Sequence, residues 1–166
     1  SEWCRFGTQD STKMGQQLEH QLARMYAPHK VKLAVSGCPR NCAEAGIKDV
    51  GVIGVDSGWE IYVGGNGGIK TEVAEFFVKL KTHEEVLEYA GAFLQLYREE
   101  GWYLERTVHY LARVGLEYAK QKVVEDAENR KALYERLLFS LDGEPDPWHE
   151  PEKAMVDTRQ FEPLSV

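Results

Sequence analysis

Long apolar runs are missing from this chain: no stretch approaches the roughly 20 residues that a bilayer-spanning helix needs. The opening Ser1-Glu2-Trp3-Cys4-Arg5 has no basic region followed by an apolar one. The expectation is a soluble, unexported protein. Basic runs are missing as well. Acidic residues outnumber basic ones, 27 against 20, for a net charge of -7, which argues against nucleic-acid binding, because that affinity comes largely from neutralising phosphates. The imbalance is uneven: residues 1–70 carry eight Lys/Arg and seven Asp/Glu, and residues 71–166 carry 12 and 20. Only the first part can comfortably face an anion. Cysteine is scarce and odd in number. There are three, two of them four positions apart around a proline, so a secreted disulfide framework is a poor account and metal or redox chemistry a better one. With no initiating methionine and a cysteine at position 4, the expectation is a piece cut from a longer polypeptide. The remaining composition, 43% hydrophobic and 11% aromatic among 166 residues, suffices for a core in one domain and excludes disorder.

Apolar positions Met14, Leu18, Leu22 and Met25 recur at three and four residues, which predicts an amphipathic helix over residues 11–25, ended near Pro28. Residues 31–36 alternate and are β-rich, so a strand runs straight into Gly37-Cys38-Pro39-Arg40-Asn41-Cys42. Residues 49–55 and 59–63 read as two further strands joined by a turn at Asp56-Ser57-Gly58, and the second empties into Gly64-Gly65-Asn66-Gly67-Gly68. Beyond Thr71 the period becomes helical. Helices are predicted over residues 71–81, 82–100 and 106–139, the last with a break near 122–129, and Thr82 with Glu85 resembles a capping box. From Asp142 onward four prolines in a polar context predict an extended tail. The domain is accordingly placed at residues 1–141 and the tail at 142–166.

Thiolates that converge on a soft metal need a backbone able to aim two sulfurs at one region, and a rigid loop carrying Cys38 and Cys42 does this. Gly37 permits an unusual dihedral and Pro39 restricts the entry. Two blander readings stand beside this one: both cysteines as buried small residues, or a zinc site, which wants ligands that none of the five histidines supplies at ordinary finger spacing.

The run from Ser36 to Cys42, the following Ala43-Glu44-Ala45-Gly46-Ile47-Lys48-Asp49-Val50-Gly51-Val52-Ile53-Gly54 and the strand ending in residues 64–68 resemble the second half of sirohaem nitrite and sulfite reductases. In that family a 4Fe-4S cluster is held by a C-x5-C pair and a later C-x3-C pair, and the last cysteine bridges the cluster to the sirohaem iron. The resemblance implies Cys38 and Cys42 as the second pair, with Cys42 the bridging thiolate. Trp3-Cys4-Arg5 with Gly7-Thr8-Gln9-Asp10-Ser11 is similar to the end of the first pair in NAD(P)H nitrite reductase large subunits and implies Cys4 as a third ligand. The first cysteine of that pair falls before Ser1. An α+β fold is implied, a small antiparallel sheet with helices packed over it, forming half of a pseudo-symmetric reductase module. So is a cytoplasmic, six-electron reduction of nitrite to ammonia, with FAD and NAD(P)H on the absent upstream part and a small reductase subunit as partner. Sulfite reductase is the neighbouring alternative; residues 3–10 and the tail look closer to the nitrite subfamily. A non-catalytic electron-transfer module is the alternative of another class.

Sirohaem carries eight carboxylates, and Arg5, Arg40, Lys48 and Lys70 are the cations available in the near-neutral first part. Arg40 and Asn41 are flanked by the implied ligands, so cofactor contact is expected of both. Backbone N–H groups of Gly37, Asn41 and Ala43 are the expected donors to sulfur. Gly64, Gly65, Asn66, Gly67 and Gly68 could form an anion-binding nest or merely a flexible connection. Phe76, Phe77, Tyr89, Phe93, Tyr97, Tyr110 and Tyr118 fall at helical spacings and are expected in the core. His109 is read as structural, Trp148 and His149 as packing or as binding a neighbouring domain, and the Glu-rich stretches as solvated helix faces.

Overall fold

The computed structural model describes residues 3–143. Helix α1 (Ser11–Leu22) is capped by Asp10, whose side chain accepts the Lys13 N–H, and it buries Met14, Leu18 and Leu22, the stripe read from the sequence. Four strands form the main sheet: β1 (Leu33–Ser36), β2 (Val50–Val55), β3 (Gly58–Val63) and, after a two-residue hairpin of β4 (Asn66–Gly67) with β5 (Thr71–Glu72), β6 (Glu75–Leu80). The order is β1-β2-β3-β6. β2 is apolar in a continuous run and buried over Val50 to Gly54, as suits an interior strand.

The sheet is mixed, where the sequence suggested an antiparallel one: β1 pairs parallel with β2, Leu33 opposite Val50 and Ser36 opposite Ile53. A parallel pair demands that the chain return across the sheet before re-entering it. Residues 37–49, with both later cysteines and a short 3-10 turn at Ala45–Ile47, are that return. The cysteine loop is thus the obligatory crossover at the end of β1.

The helix predicted over residues 71–81 is instead β5 and β6. Val73, Phe76, Phe77 and Leu80 fit a helical period, yet Phe77 and Leu80 are buried while Phe76 is 45% exposed and Val73 76%. The open edge of β3 decides the matter. β6 pairs with it antiparallel, Trp59 opposite Leu80 and Ile61 opposite Val78, with a bulge between Ile61 and Tyr62.

Helix α2 (His83–Glu100) begins at the expected capping box: Glu85 N–H donates to Thr82 Oγ1 at 3.2 Å and Thr82 N–H to Glu85 Oε2 at 3.0 Å. Thr82→Ala is expected to cost about 1 kcal/mol in urea unfolding, with an unchanged m-value. After α2 come α3 (Thr107–Val114), α4 (Leu116–Lys120) and α5 (Ala127–Asp142). The expected break is real: a π turn at Gln121–Glu125 ends at Asp126, which caps α5 by accepting the Asn129 N–H. A second break, at Gly115 with φ +91, was not foreseen. α2 packs between the sheet and α5, and the core gathers Trp59, Ile61, Phe77, Phe93, Tyr97 and Tyr110. Of the other aromatics expected inside, Tyr89 packs partly buried against the core, Tyr118 is half-buried outside it and Phe76 is exposed. No described helix is long and apolar enough to cross a membrane. The predicted tail lies outside the described residues from 144 onward; Asp142 itself ends α5.

The loop between α2 and α3 is pinned by Glu105, which receives Arg113 Nε at 2.9 Å and Nη2 at 2.7 Å as well as the Trp102 N–H. These bonds, the Arg113 one foremost, hold the Glu105 carboxyl below its ordinary pKa. A depressed folded-state value stabilises above the unfolded carboxyl's pKa and is lost as pH falls through the folded one. Glu105→Gln is therefore expected to lower thermal stability at neutral pH and to match the parent once both forms are acidified below that range.

Candidate metal centre

β1 delivers the chain to Ser36, and from there the loop is braced by its own polar side chains. Ser36 Oγ–H donates to Asn41 Oδ1 at 3.0 Å, and Ala45 N–H donates to the same oxygen at 2.7 Å. Ala43 N–H donates back to Ser36 Oγ at 3.2 Å. Asn41 stands in the left-handed region at φ 54 and donates its own N–H to Cys38 O at 3.1 Å; Glu44 is there too, at φ 56. Asparagine tolerates that conformation better than most residues. The Asn41 carbonyl oxygen, expected at a cofactor, is thus a brace inside the loop. Two of the three backbone N–H groups expected to reach sulfur, those of Asn41 and Ala43, are likewise spent on Cys38 O and Ser36 Oγ.

The two thiols of the loop differ: Cys38 is buried at 8% and Cys42 exposed. Cys4 is exposed, and all three are free. The segment after Cys4 is fastened to the same loop. Gly7 N–H donates to Cys4 O at 3.0 Å; Thr8 N–H, Thr8 Oγ1–H and Gln9 N–H all donate to Gly37 O, at 2.8, 3.0 and 3.1 Å. Gln9 Nε2 continues to Val55 O at 2.9 Å. Phe6 lies beneath two guanidiniums, Arg40 at 3.8 Å and Arg5 at 4.7 Å from its ring centroid. The structure thereby gathers Arg5, Arg40 and the segment after Cys4 around the loop that carries Cys38 and Cys42.

The other candidates are placed differently. Gly64, at φ +76, donates its N–H to Asp49 O at 3.0 Å, and Gly65 N–H donates to Lys48 O at 2.9 Å. A nest of five converging amides is therefore not formed. Asn66 and Gly67 pair with Thr71 and Glu72 in the small hairpin, and Asn66 Nδ2 donates to Lys70 O. A side chain at Gly65 would meet Lys48 O at 2.6 Å, so the glycine serves close approach to the end of the crossover. Lys48 pairs with Glu44 at 3.4 Å and Lys70 with Glu72 at 2.7 Å, which leaves Arg5 and Arg40 as the cations beside the cysteines. Among the described residues no three His, Cys, Asp or Glu side chains close into a site for a single ion, so a tetrahedral zinc site is not built from them. A groove of 720 Å³ between α1 and β1, lined by Leu18, Leu22 and Leu33, includes none of the cysteines.

Sequence reasoning missed Asp49. Fully buried, it accepts Arg106 Nη2 at 2.7 Å and Nε at 3.2 Å, Thr107 Oγ1–H at 2.5 Å and the Lys32 N–H at 2.8 Å. It ties the approach to β1, the approach to β2 and the start of α3 together directly behind the glycine turn. An acidic residue heading a wholly apolar strand was the available signal.

A family model described as the nitrite and sulphite reductase 4Fe-4S domain matches residues 1–131. The chain belongs to that family. It is 56% identical over 147 residues to nitrite reductase [NAD(P)H] of Bacillus subtilis, covering 89% of this chain and 18% of that protein. It is 38% identical over 143 residues to the nitrite reductase (NADH) large subunit of Escherichia coli, covering 85% and 17%. With the assimilatory-type sulfite reductase of Nitratidesulfovibrio vulgaris identity is 32% over 121 residues, 73% of this chain and 56% of that one. Among solved structures, the NirA protein of Mycobacterium tuberculosis superposes with a TM-score of 0.62 at 23% identity, over 77% of this chain and 25% of that one. Dissimilatory sulfite reductase I gives 0.60 at 15%, over 99% and 54%. These two likenesses bear out the α+β fold. The chain thus spans under a fifth of the NAD(P)H nitrite reductases it matches.

Proposed function

We propose that this chain is the part of an ammonia-forming NAD(P)H nitrite reductase that contributes three thiolates, from Cys4, Cys38 and Cys42, to a 4Fe-4S cluster and one wall of a sirohaem pocket. The observation that carries the reading is the fastening of the segment after Cys4 onto Gly37, beside Cys38, which brings both cysteine arms into one neighbourhood. The donor set suits a cluster. The thiols are free of disulfides, and the loop meets its own hydrogen-bonding needs through Ser36 and Asn41 without drawing on sulfur. Cubane thiolates bind separate irons, so they need not converge as ligands of one ion must.

When bound, the cluster and the sirohaem supply the redox centres that pass six electrons to nitrite. The chain's own residues bind and orient. Cys38, buried, would anchor the cluster, and Cys42, exposed at the far end of the loop, would supply the bridging thiolate. Arg5 and Arg40, stacked on Phe6, keep their N–H edges available for sirohaem carboxylates, which guanidinium forks match well. Gly67 and Gly68 are the exposed part of the glycine turn and would be the residues to meet the macrocycle, with Asn66 beside them; Gly64 and Gly65 are buried against Leu111 and Lys48 and would shape the turn from behind. The cofactor-bearing domain would extend through the end of α5 at Asp142. The remaining ligand, FAD and NAD(P)H belong to the rest of the large subunit, with a small subunit as a further partner in the cytoplasm. Assimilatory sulfite reduction is the second reading, favoured by the 32% match and set behind the 56% match to a nitrite reductase.

Steady-state assays of the full reductase polypeptide test the choice. Ammonium from nitrite with a much higher kcat/KM than sulfide from sulfite is expected; the reverse preference overturns it. The 166-residue chain alone is expected neither to retain a four-iron cluster nor to turn over nitrite, since three thiolates leave one iron without its cysteine. Sustained ammonium production by it would contradict the assignment.

A further inference from the structure

We infer that residues 6–9 act as a latch that fixes the position of Cys4 against the loop of residues 38–42, and that Gly54 is the gap in the sheet that allows the latch to close. The inference rests on the cluster reading above. Cys4 and Cys38 are remote in sequence, and no disulfide or ion pair among the described residues joins their segments directly. One carbonyl does the joining. Gly37 O accepts from Thr8 N, Thr8 Oγ1 and Gln9 N, and it belongs to the planar peptide unit that leads directly into Cys38. On the other side, Gly7 N–H holds Cys4 O, so the turn carrying Cys4 moves with the latch. Phe6 adds a second tie, because Arg40, the middle of the three residues between the loop's two cysteines, stacks on the ring of a residue two positions after Cys4.

Gly54 decides whether this closes. Its φ lies outside the left-handed region, so conformation does not require glycine there. Space does. A Cβ at position 54 would stand 2.8 Å from Gln9 Cβ, 2.9 Å from Gln9 Cγ and 3.0 Å from Gly37 O. The first of these sits at the root of a side chain whose amide is already committed to Val55 O, and the last is the carbonyl on which the latch depends. Any side chain at Gly54 must push the Cys4 arm and the Cys38 loop apart. A glycine inside a strand marks close approach of another segment, and here the segment is a cluster arm. Thr8, Gln9 and Gly54 are accordingly positioning residues, touching neither substrate nor metal.

The test uses the full reductase polypeptide, purified anaerobically, with iron, acid-labile sulfide and sirohaem measured per chain, the EPR spectrum of the reduced cluster recorded and its midpoint potential titrated. Gly54→Ala is expected to reduce cluster retention under chelator challenge by about ten-fold or more, the scale seen for outer-shell partners of metal ligands, and to change the EPR line shape and the potential. Gly54→Ala combined with Gln9→Gly, which removes the two nearest crowded atoms and keeps the backbone N–H bond to Gly37 O, is expected to restore retention part of the way toward the parent. Thr8→Val with Gln9→Leu, changes in the latch segment that alter no strand residue, should reproduce the defect if the strand variant does not fold. A parent protein loaded with cluster and variants with parental retention, line shape and potential would overturn the latch alone. A parent with no cluster iron would overturn the cluster reading with it.

Discussion

In the full reductase polypeptide, Cys42→Ser is expected to abolish electron transfer between cluster and haem and to bring nitrite reduction to background, while the protein still folds and accumulates. Serine keeps the shape of the side chain but offers a hard oxygen donor that stays protonated at neutral pH, where a soft iron–sulfur site selects thiolate. Folding should be spared because Cys42 is exposed and the loop is braced through Ser36, Asn41 and Ala45, none of which touches its sulfur. EPR of the reduced protein gives the sharper readout: magnetic coupling between the centres should vanish while haem signals persist. Parental activity in this variant would remove Cys42 from the bridging role.

Asp49→Ala is expected to destabilise the fold by about 3–5 kcal/mol, the range for breaking one side of a buried ion pair. Its carboxylate has no exposure and satisfies Arg106, Thr107 and the Lys32 amide together, and the Arg106 side chain is only 12% exposed. Removing the carboxylate leaves a guanidinium, a hydroxyl and an amide without their acceptor in a dry place. Asp49→Asn should be nearly as harmful, since an amide offers one acceptor oxygen where the carboxylate uses two. Replacing the pair, Asp49→Leu with Arg106→Met, is expected to cost less than Asp49→Ala, because no charge is left stranded. Urea unfolding of the three variants settles the order; an Asp49→Ala loss below about 1 kcal/mol would mean that the cluster of bonds around Asp49 is incidental.

Local features were legible where local physics decides them. The α1 stripe, the Thr82 box, the apolar runs of β2 and β3 and the break after Gln121 each derive from propensity or period over a few residues. β6 was misread because Val73, Phe76, Phe77 and Leu80 satisfy a helical period, and only the vacant edge of β3, a tertiary fact, overrules it. The loop was legible as the seat of chemistry from its cysteines, but its role as a parallel crossover was not, since β1 could have paired either way. Partnerships remote in sequence stayed hidden: Asp49 with Arg106, and Thr8 with Gly37. Two residues carried unused hints, an acid at the head of an apolar strand and a glycine, Gly54, inside it. The glycine-rich turn misled in the other direction, because a run of glycines shows what the backbone can do and not which carbonyls its amides will find.

The most direct test of the central claim is the absorption spectrum and iron content of the full reductase polypeptide, produced anaerobically with sirohaem available, beside a variant in which Cys4, Cys38 and Cys42 are all serine. The account predicts a sirohaem band with cluster iron in the parent and the loss of cluster iron in the triple variant. A folded parent that is colourless and free of iron would contradict it and return the three cysteines to a structural role.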